Sequence, residues 1–201
     1  MNTLLRFDRP AGYDFTRMAE LLCNDICLKL PAFSHVEMPR VVVGFAQARN
    51  DSNFGLYASL TPLRFEDGAN QVERRGRIWT LPRYLNEEGT EFLYIINFYQ
   101  PRYQNLPRRE KLTTAVHELW HISPEFDGDL RRFPGRCYAH GSRQSNYDAK
   151  VERLTDEYLH IGVHPEVEDL LECDFEGLSQ KYGRIHGRKV AAPKMVPVSA
   201  K

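Results

Sequence analysis

Residues 112–124 read Leu112-Thr113-Thr114-Ala115-Val116-His117-Glu118-Leu119-Trp120-His121-Ile122-Ser123-Pro124. Leu112, Ala115, Val116, Leu119 and Trp120 recur at the period of one helix face. Asn105 to Pro107 opens that helix, with proline tolerated in a first turn, and Ser123-Pro124 ends it. Residues four apart lie one turn apart on the same face, so His117 and His121 project two imidazoles side by side, above Thr113. Two such imidazoles form a bidentate clamp for a tetrahedral Zn²⁺. Glu118 is adjacent without being a ligand, and a carboxylate there can take the proton of a metal-bound water. The apolar face and the ligand face are separate, as a metal-binding helix requires.

A catalytic zinc needs a third protein ligand and one open position. His140, followed by Gly141 in a glycine- and proline-rich stretch over 123–147, is the first choice. Glu152, at the start of the next helix, is the second, and Asp127, Asp129 and Asp148 are weaker. Hydrolysis also needs a donor for the developing oxyanion. Tyr138, Arg143 and Tyr147 flank the proposed third ligand, and spacing does not choose among them.

Working outward, Asp14 caps a helix running to about Leu30, stopped by Pro31. Strands are expected at Arg40–Ala48, at Phe54–Phe65 and at Arg75–Leu81, and most strongly at Glu91–Tyr99 (EFLYIINFY). Helices are expected over Asp148–His160 and around Glu166–Leu171. The pattern predicts an α+β domain over 1–186, with an N-terminal helix, a small mostly antiparallel sheet of about three or four strands, the histidine helix, a long loop and C-terminal helices. Residues 187–201 read as an extended or disordered tail.

The bulk properties narrow the function classes. The 201 residues suit one domain, and Lys plus Arg equals Asp plus Glu at 27 each, which gives no global attraction to nucleic acid or anionic membrane. The arginines around the proposed site (Arg108, Arg109, Arg131, Arg132, Arg136, Arg143) read better as a solvated, charge-balanced surface than as a nucleic-acid rim. No run approaches the ~18 apolar residues of a membrane span. Cys23, Cys27, Cys137 and Cys173 form no C-x-x-C pair, and Met1 to Pro10 lack a signal-like apolar stretch, so a cytoplasmic protein is expected.

His117-Glu118-Leu119-Trp120-His121 with the later His140-Gly141 resembles the SprT-like zincins. The longer stretch HELWHISPEFDGDLRRF is similar to the phage-type metallopeptidases, another zincin group. The resemblance spans about residues 90–160. It implies a zincin-like fold, one catalytic zinc at His117, His121 and His140, Glu118 as base, and a protein or peptide substrate. It also implies that a strand beside the metal holds the substrate by β-augmentation, which the strongest strand would supply through Phe92, Tyr94 and Ile96. The chain lacks the cysteines of the zinc ribbon that SprT-like proteins often add, and its gap from His121 to His140 is long for that family. Their association with DNA is therefore not carried over, and Glu152 stays open because another zincin group takes a glutamate from a later helix. The expected reaction is peptide-bond hydrolysis by a zinc-bound water activated by Glu118. The alternative is a non-catalytic zinc module that binds protein or nucleic acid, which a fourth ligand such as Cys137 would favour. Spacing alone names no particular substrate or oligomeric state.

Overall fold

A computed structural model describes residues 2–4, 11–48, 55–132 and 144–198. It is a mixed α+β chain. In order the elements are β1 (Asn2–Leu4), β2 (Tyr13–Asp14), α1 (Phe15–Lys29), β3 (Val41–Gln47), β4 (Ala58–Pro62), β5 (Gln71–Arg74), β6 (Arg77–Thr80), β7 (Arg83–Leu85), β8 (Tyr94–Gln100), α2 (Arg108–Trp120), α3 (Gln144–Ile161), α4 (Glu168–Glu172), α5 (Phe175–Tyr182), β9 (Ile185–His186) and β10 (Val196–Pro197).

The principal sheet has the order β3-β8-β4. β3 runs parallel to β8 and β4 antiparallel to it. This corrects the expectation of a mostly antiparallel sheet: among the described residues, three of the six strand pairings are parallel. Residues 77–80 are a strand, as expected, but they join β5 and β10 in a separate small sheet.

α1 begins where Asp14 caps it, its carboxylate accepting from the Arg17 amide at 3.1 Å. Phe15, Ala19, Leu22, Cys23 and Ile26 turn one face wholly inward. α2 buries Leu112, Ala115, Val116 and Leu119 completely in the same core. The apolar period read from the sequence is therefore the packing face of each helix. α3 closes over α1 and α2 with Tyr147, Val151, Leu154 and Tyr158. Tyr158 donates to Asp25 at 2.6 Å, and Lys29 bonds both Asp25 and the Gly162 carbonyl, so a buried carboxylate of α1 is satisfied from α3.

Lys111 reads as a polar-face residue, yet its side chain is buried. Its ammonium donates to the carbonyls of Leu170, Leu171 and Cys173 at 3.1, 3.1 and 2.7 Å. These are orphan carbonyls at the end of α4, where a cation is favoured. Gln104 donates to two of the same carbonyls. Lys111 thereby fixes α2 against the C-terminal helices. Burial lowers its pKa from the usual lysine value to about 8.

The C-terminal stretch is extended but docked. Arg188 is bonded through its amide to Thr16 and through its carbonyl to Phe45. The Val190 carbonyl accepts from buried Asn97, and Val190 packs with Val42, Leu63, Phe92 and Ile95. Residues 188–190 are therefore held against the body, and β10 pairs with β6 farther along.

Replacing Lys111 with Met keeps most of the buried volume but leaves three carbonyls short of a charged donor. A loss of about 1.5–3 kcal/mol is expected, read as a lower urea midpoint at unchanged slope.

Candidate functional site

α2 places His117 and His121 on one face, both partly exposed, with their Nε2 atoms 3.0 Å apart. Two nitrogens at about 2.0–2.1 Å from one tetrahedral zinc stand roughly 3.3 Å apart. The pair therefore fits two zinc ligands with a small ring adjustment. Tyr147 of α3 holds the pair from the side. Its ring lies 5.1 Å from that of His117 and 5.3 Å from that of His121, and its hydroxyl donates to the His117 carbonyl at 3.2 Å. Tyr147 therefore orients the imidazoles, and its hydroxyl is directed to the backbone.

Glu118 points to the other side of the helix edge, against β4, and is buried. Burial raises its pKa to about 7, while a hydrogen bond from the Leu60 amide works the other way. The register explains that donor. Tyr99 N–H bonds to Tyr57 O and Leu63 N–H to Leu93 O, so odd-numbered residues of β4 exchange hydrogen bonds with β8. Alternation then turns the backbone groups of Ala58 and Leu60 outward. β4 is the edge strand beside the histidine helix.

β8 is not. It is paired on both sides, and Tyr94, Ile95 and Ile96 have no exposed surface. This corrects the assignment of a substrate-binding strand to Phe92, Tyr94 and Ile96. Phe92 packs under the C-terminal segment, Ile96 lies in the core, and Tyr94 has a different task. Its hydroxyl accepts from the Gly128 amide at 2.9 Å and donates to the Asp129 carbonyl at 2.9 Å.

That contact orders the loop after α2. Ile122 bridges Leu130, and the Arg131 amide donates to the His121 carbonyl at 2.7 Å. The Arg131 guanidinium bonds the Trp120 carbonyl and lies 3.8 Å from the centre of the Trp120 ring. Asp129 is buried and receives Arg132 and the Asp67 amide. Gly128 is needed where it stands. Its φ is +92°, and a Cβ there would lie 2.5 Å from Arg64 Cγ. The loop thus caps the end of α2 that carries His121, and within it Arg132 pairs with Asp129.

A cleft of about 260 Å³ opens between α2 and the chain leading into β4, lined by Gly55, Leu56, Tyr57, Ala58, Thr113, Thr114, His117 and Glu118. A second hollow shares Tyr57, Thr113 and Thr114 and continues toward Arg109 and Glu152.

Glu152 is not brought to the histidines. Arg109 holds it at 2.7 Å and also holds Asp156 at 2.6 Å. Arg109 precedes His117 by eight residues, about 12 Å along the helix. Asp127 and Asp129 are turned into the loop, Asp127 accepting from the Asp129 amide. Among the described residues, no group of three His, Cys, Asp or Glu side chains is placed to hold a metal. His140, Tyr138, Arg143 and Cys137 lie outside the described residues. Sequence reasoning missed the edge role of β4, whose signal was a short half-buried strand ending at Pro62.

In chelator-treated protein, Glu118 binds its proton more tightly folded than unfolded. Its contribution to stability is full below about pH 4.5 and is lost as pH rises through about 7. The Glu118→Gln chain, treated alike, is expected to exceed the original in stability above pH 7 by about 2–3 kcal/mol, with little difference near pH 4. Denaturant melts at the two pH values check this.

Comparison with protein-family models, with curated proteins and with solved structures yields no match to this chain.

Proposed function

We propose that this chain is a zinc-dependent peptidase with a zincin-like arrangement, acting in the cytoplasm on a protein or peptide. One observation carries the reading: a helix presents two imidazole nitrogens 3.0 Å apart beside a buried carboxylate, and that carboxylate lines an open cleft along an edge strand. His117 and His121 are two zinc ligands in this proposal, and His140 is the third. A bound zinc would acidify water and polarise a scissile carbonyl.

The chain's own groups supply the rest. Glu118 takes a proton from water and returns it to the leaving amine. Its carboxylate lines the cleft beside the imidazoles and is placed for both transfers. Leu60 N–H fixes the carboxylate's aim, and Tyr147 and the loop from Ile122 to Arg131 fix the imidazoles. An extended peptide would add to β4 at the outward backbone groups of Ala58 and the outward carbonyl of Leu60. Leu56, exposed and apolar at the mouth of the cleft, would meet a substrate side chain. The cytoplasmic placement rests on Cys23, Cys27 and Cys173 being free thiols.

Metal analysis of purified protein, paired with cleavage of a broad peptide library, tests the proposal. About one zinc per chain is expected. His117→Ala and His121→Ala should lose the metal, and His140→Ala should weaken its binding by orders of magnitude. Glu118→Gln should keep the zinc and lose at least ~100-fold in cleavage rate. Zinc held without cleavage of any peptide would replace the enzyme reading with that of a zinc module binding another macromolecule. Cleavage by Glu118→Gln at the original rate would remove Glu118 from its role.

A further inference from the structure

β5 and β6 form a hairpin whose turn is Arg74-Arg75-Gly76-Arg77. Arg74 and Arg77 stand directly opposite each other in the register, and Arg75 lies between them at the tip. Like charges placed directly across a strand pair destabilise it. The turn adds a second cost. Arg75 has φ +54° and Gly76 φ +71°, the left-handed pair of a two-residue hairpin turn whose first position ordinarily takes Asn, Asp or Gly.

Several cations elsewhere are held by acids. Arg108 and Arg109 are held by carboxylates of α3 and α4, Arg132 by Asp129, and Lys181 by Asp169. Arg74, Arg75 and Arg77 have no acidic partner among the described residues. Glu73, next in the chain, pairs with Ile78 and so faces the opposite side of the hairpin from Arg74 and Arg77.

Alternation also decides what shares their face. The Val72–Trp79 pair follows the Arg74–Arg77 pair on the same side, and Trp79 is flanked there by Pro197 of β10. Arg74, Arg75, Arg77, Trp79 and Met195 line an open hollow of about 570 Å³, which is within the size range of ligand sites. Trp79 belongs to neither apolar core.

We propose that this hairpin face binds single-stranded nucleic acid, with the three guanidiniums on successive phosphates and a base stacked on Trp79. A guanidinium fork matches a phosphate in geometry, and an aromatic face accepts any base. An acidic peptide would satisfy the arginines and leave Trp79 without a role. An anionic membrane would need apolar groups at the tip, where the arginines stand; of the exposed apolar residues nearby, Ile78, Val196 and Val198 lie on the other face, and Met195 alone lines the hollow. The zero net charge of the chain is compatible with such binding because the patch is local. The proposal is independent of the zinc reading.

Fluorescence anisotropy with a labelled oligothymidylate and the full chain, titrated at several salt concentrations, tests it. Binding at low salt that weakens steeply with added salt is expected. Arg74→Ala/Arg75→Ala/Arg77→Ala should weaken it tenfold or more and reduce the slope of log affinity against log salt by about 2, the value for three single-strand phosphate contacts. Trp79→Ala should weaken binding roughly tenfold with the salt slope unchanged. The corresponding triple Lys substitution should keep most of the slope. It decides the matter together with Trp79→Ala if the alanine triple does not melt cooperatively. No binding at low salt, equal binding by the alanine triple, or loss of slope in a folded lysine triple would overturn the proposal. Tighter binding of polyglutamate, or of phosphatidylserine vesicles, than of oligothymidylate would overturn it in favour of an acidic peptide or a lipid surface.

Discussion

A carboxylate taken out of water beside two imidazoles must be held against its own desolvation, and the architecture around α2 is arranged to do that. Among the described residues, no cation shifts the pKa of Glu118, and the Leu60 amide is what offsets the cost of burial. That amide is available because β4 is an edge strand whose even-numbered residues turn their backbone groups away from β8. The position of the acid therefore depends on strand order. If β4 were central, Leu60 N–H would be used in the sheet and Glu118 would be buried without a donor. A cation bound by the neighbouring imidazoles would supply the missing compensation. In the proposed zinc site, the same burial that destabilises the metal-free carboxylate would favour metal uptake.

The helix cannot shift to relieve this. At one end Lys111 ties it to the last carbonyls of α4, and Arg108 and Arg109 reach α4 and α3. At the other, the loop from Ile122 to Arg131 returns an amide to His121 and a guanidinium to Trp120. Tyr94 links that loop to the central strand. A displacement of the imidazoles would have to break charge-assisted hydrogen bonds in the interior, each a matter of about 1.5–3 kcal/mol. Rigid support of this kind keeps donor atoms within the few tenths of an ångström that coordination requires.

The sequence carried the helices well, because their signals are local. Asp14 before an apolar period and Pro31 after it bound α1 almost to the residue, and the period of Leu112, Ala115, Val116 and Leu119 is the packing face of α2. α5 escaped notice because Gly177 interrupts an otherwise short pattern, although Asp174 caps it. The positions of β3, β4, β6 and β8 were legible and their partners were not, whereas β1, β2, β5, β7, β9 and β10 were not expected. The near-continuous apolar run from Phe92 to Phe98 is the mark of a strand buried on both faces, which belongs in the middle of a sheet. Its nearness to α2 in sequence was the weaker clue. At the site, the His117, Glu118 and His121 geometry follows from spacing alone, whereas the Leu60 donor and the Tyr147 wall depend on contacts between distant segments. The burial of Lys111 was equally invisible, since its partners are carbonyls some sixty residues away.

Charge shows the same division between what composition reveals and what folding allocates. Twenty-seven cations against 27 acids suggests a surface indifferent to polyanions. Folding does not share the acids evenly. Asp129, Glu152, Asp156, Glu168, Glu172 and Asp169 all go to cations on or near the helices, where pairing fixes helix against helix. Exposed pairs of this sort add little stability singly, but two carboxylates on one guanidinium restrict how the helices can slide. Among the described residues, the hairpin of β5 and β6 makes no such contact. Arginine at its strained first turn position and the Arg74–Arg77 pair opposed across its strands lower its stability. Those residues fit the proposal that the neutralising charge comes from a bound polyanion.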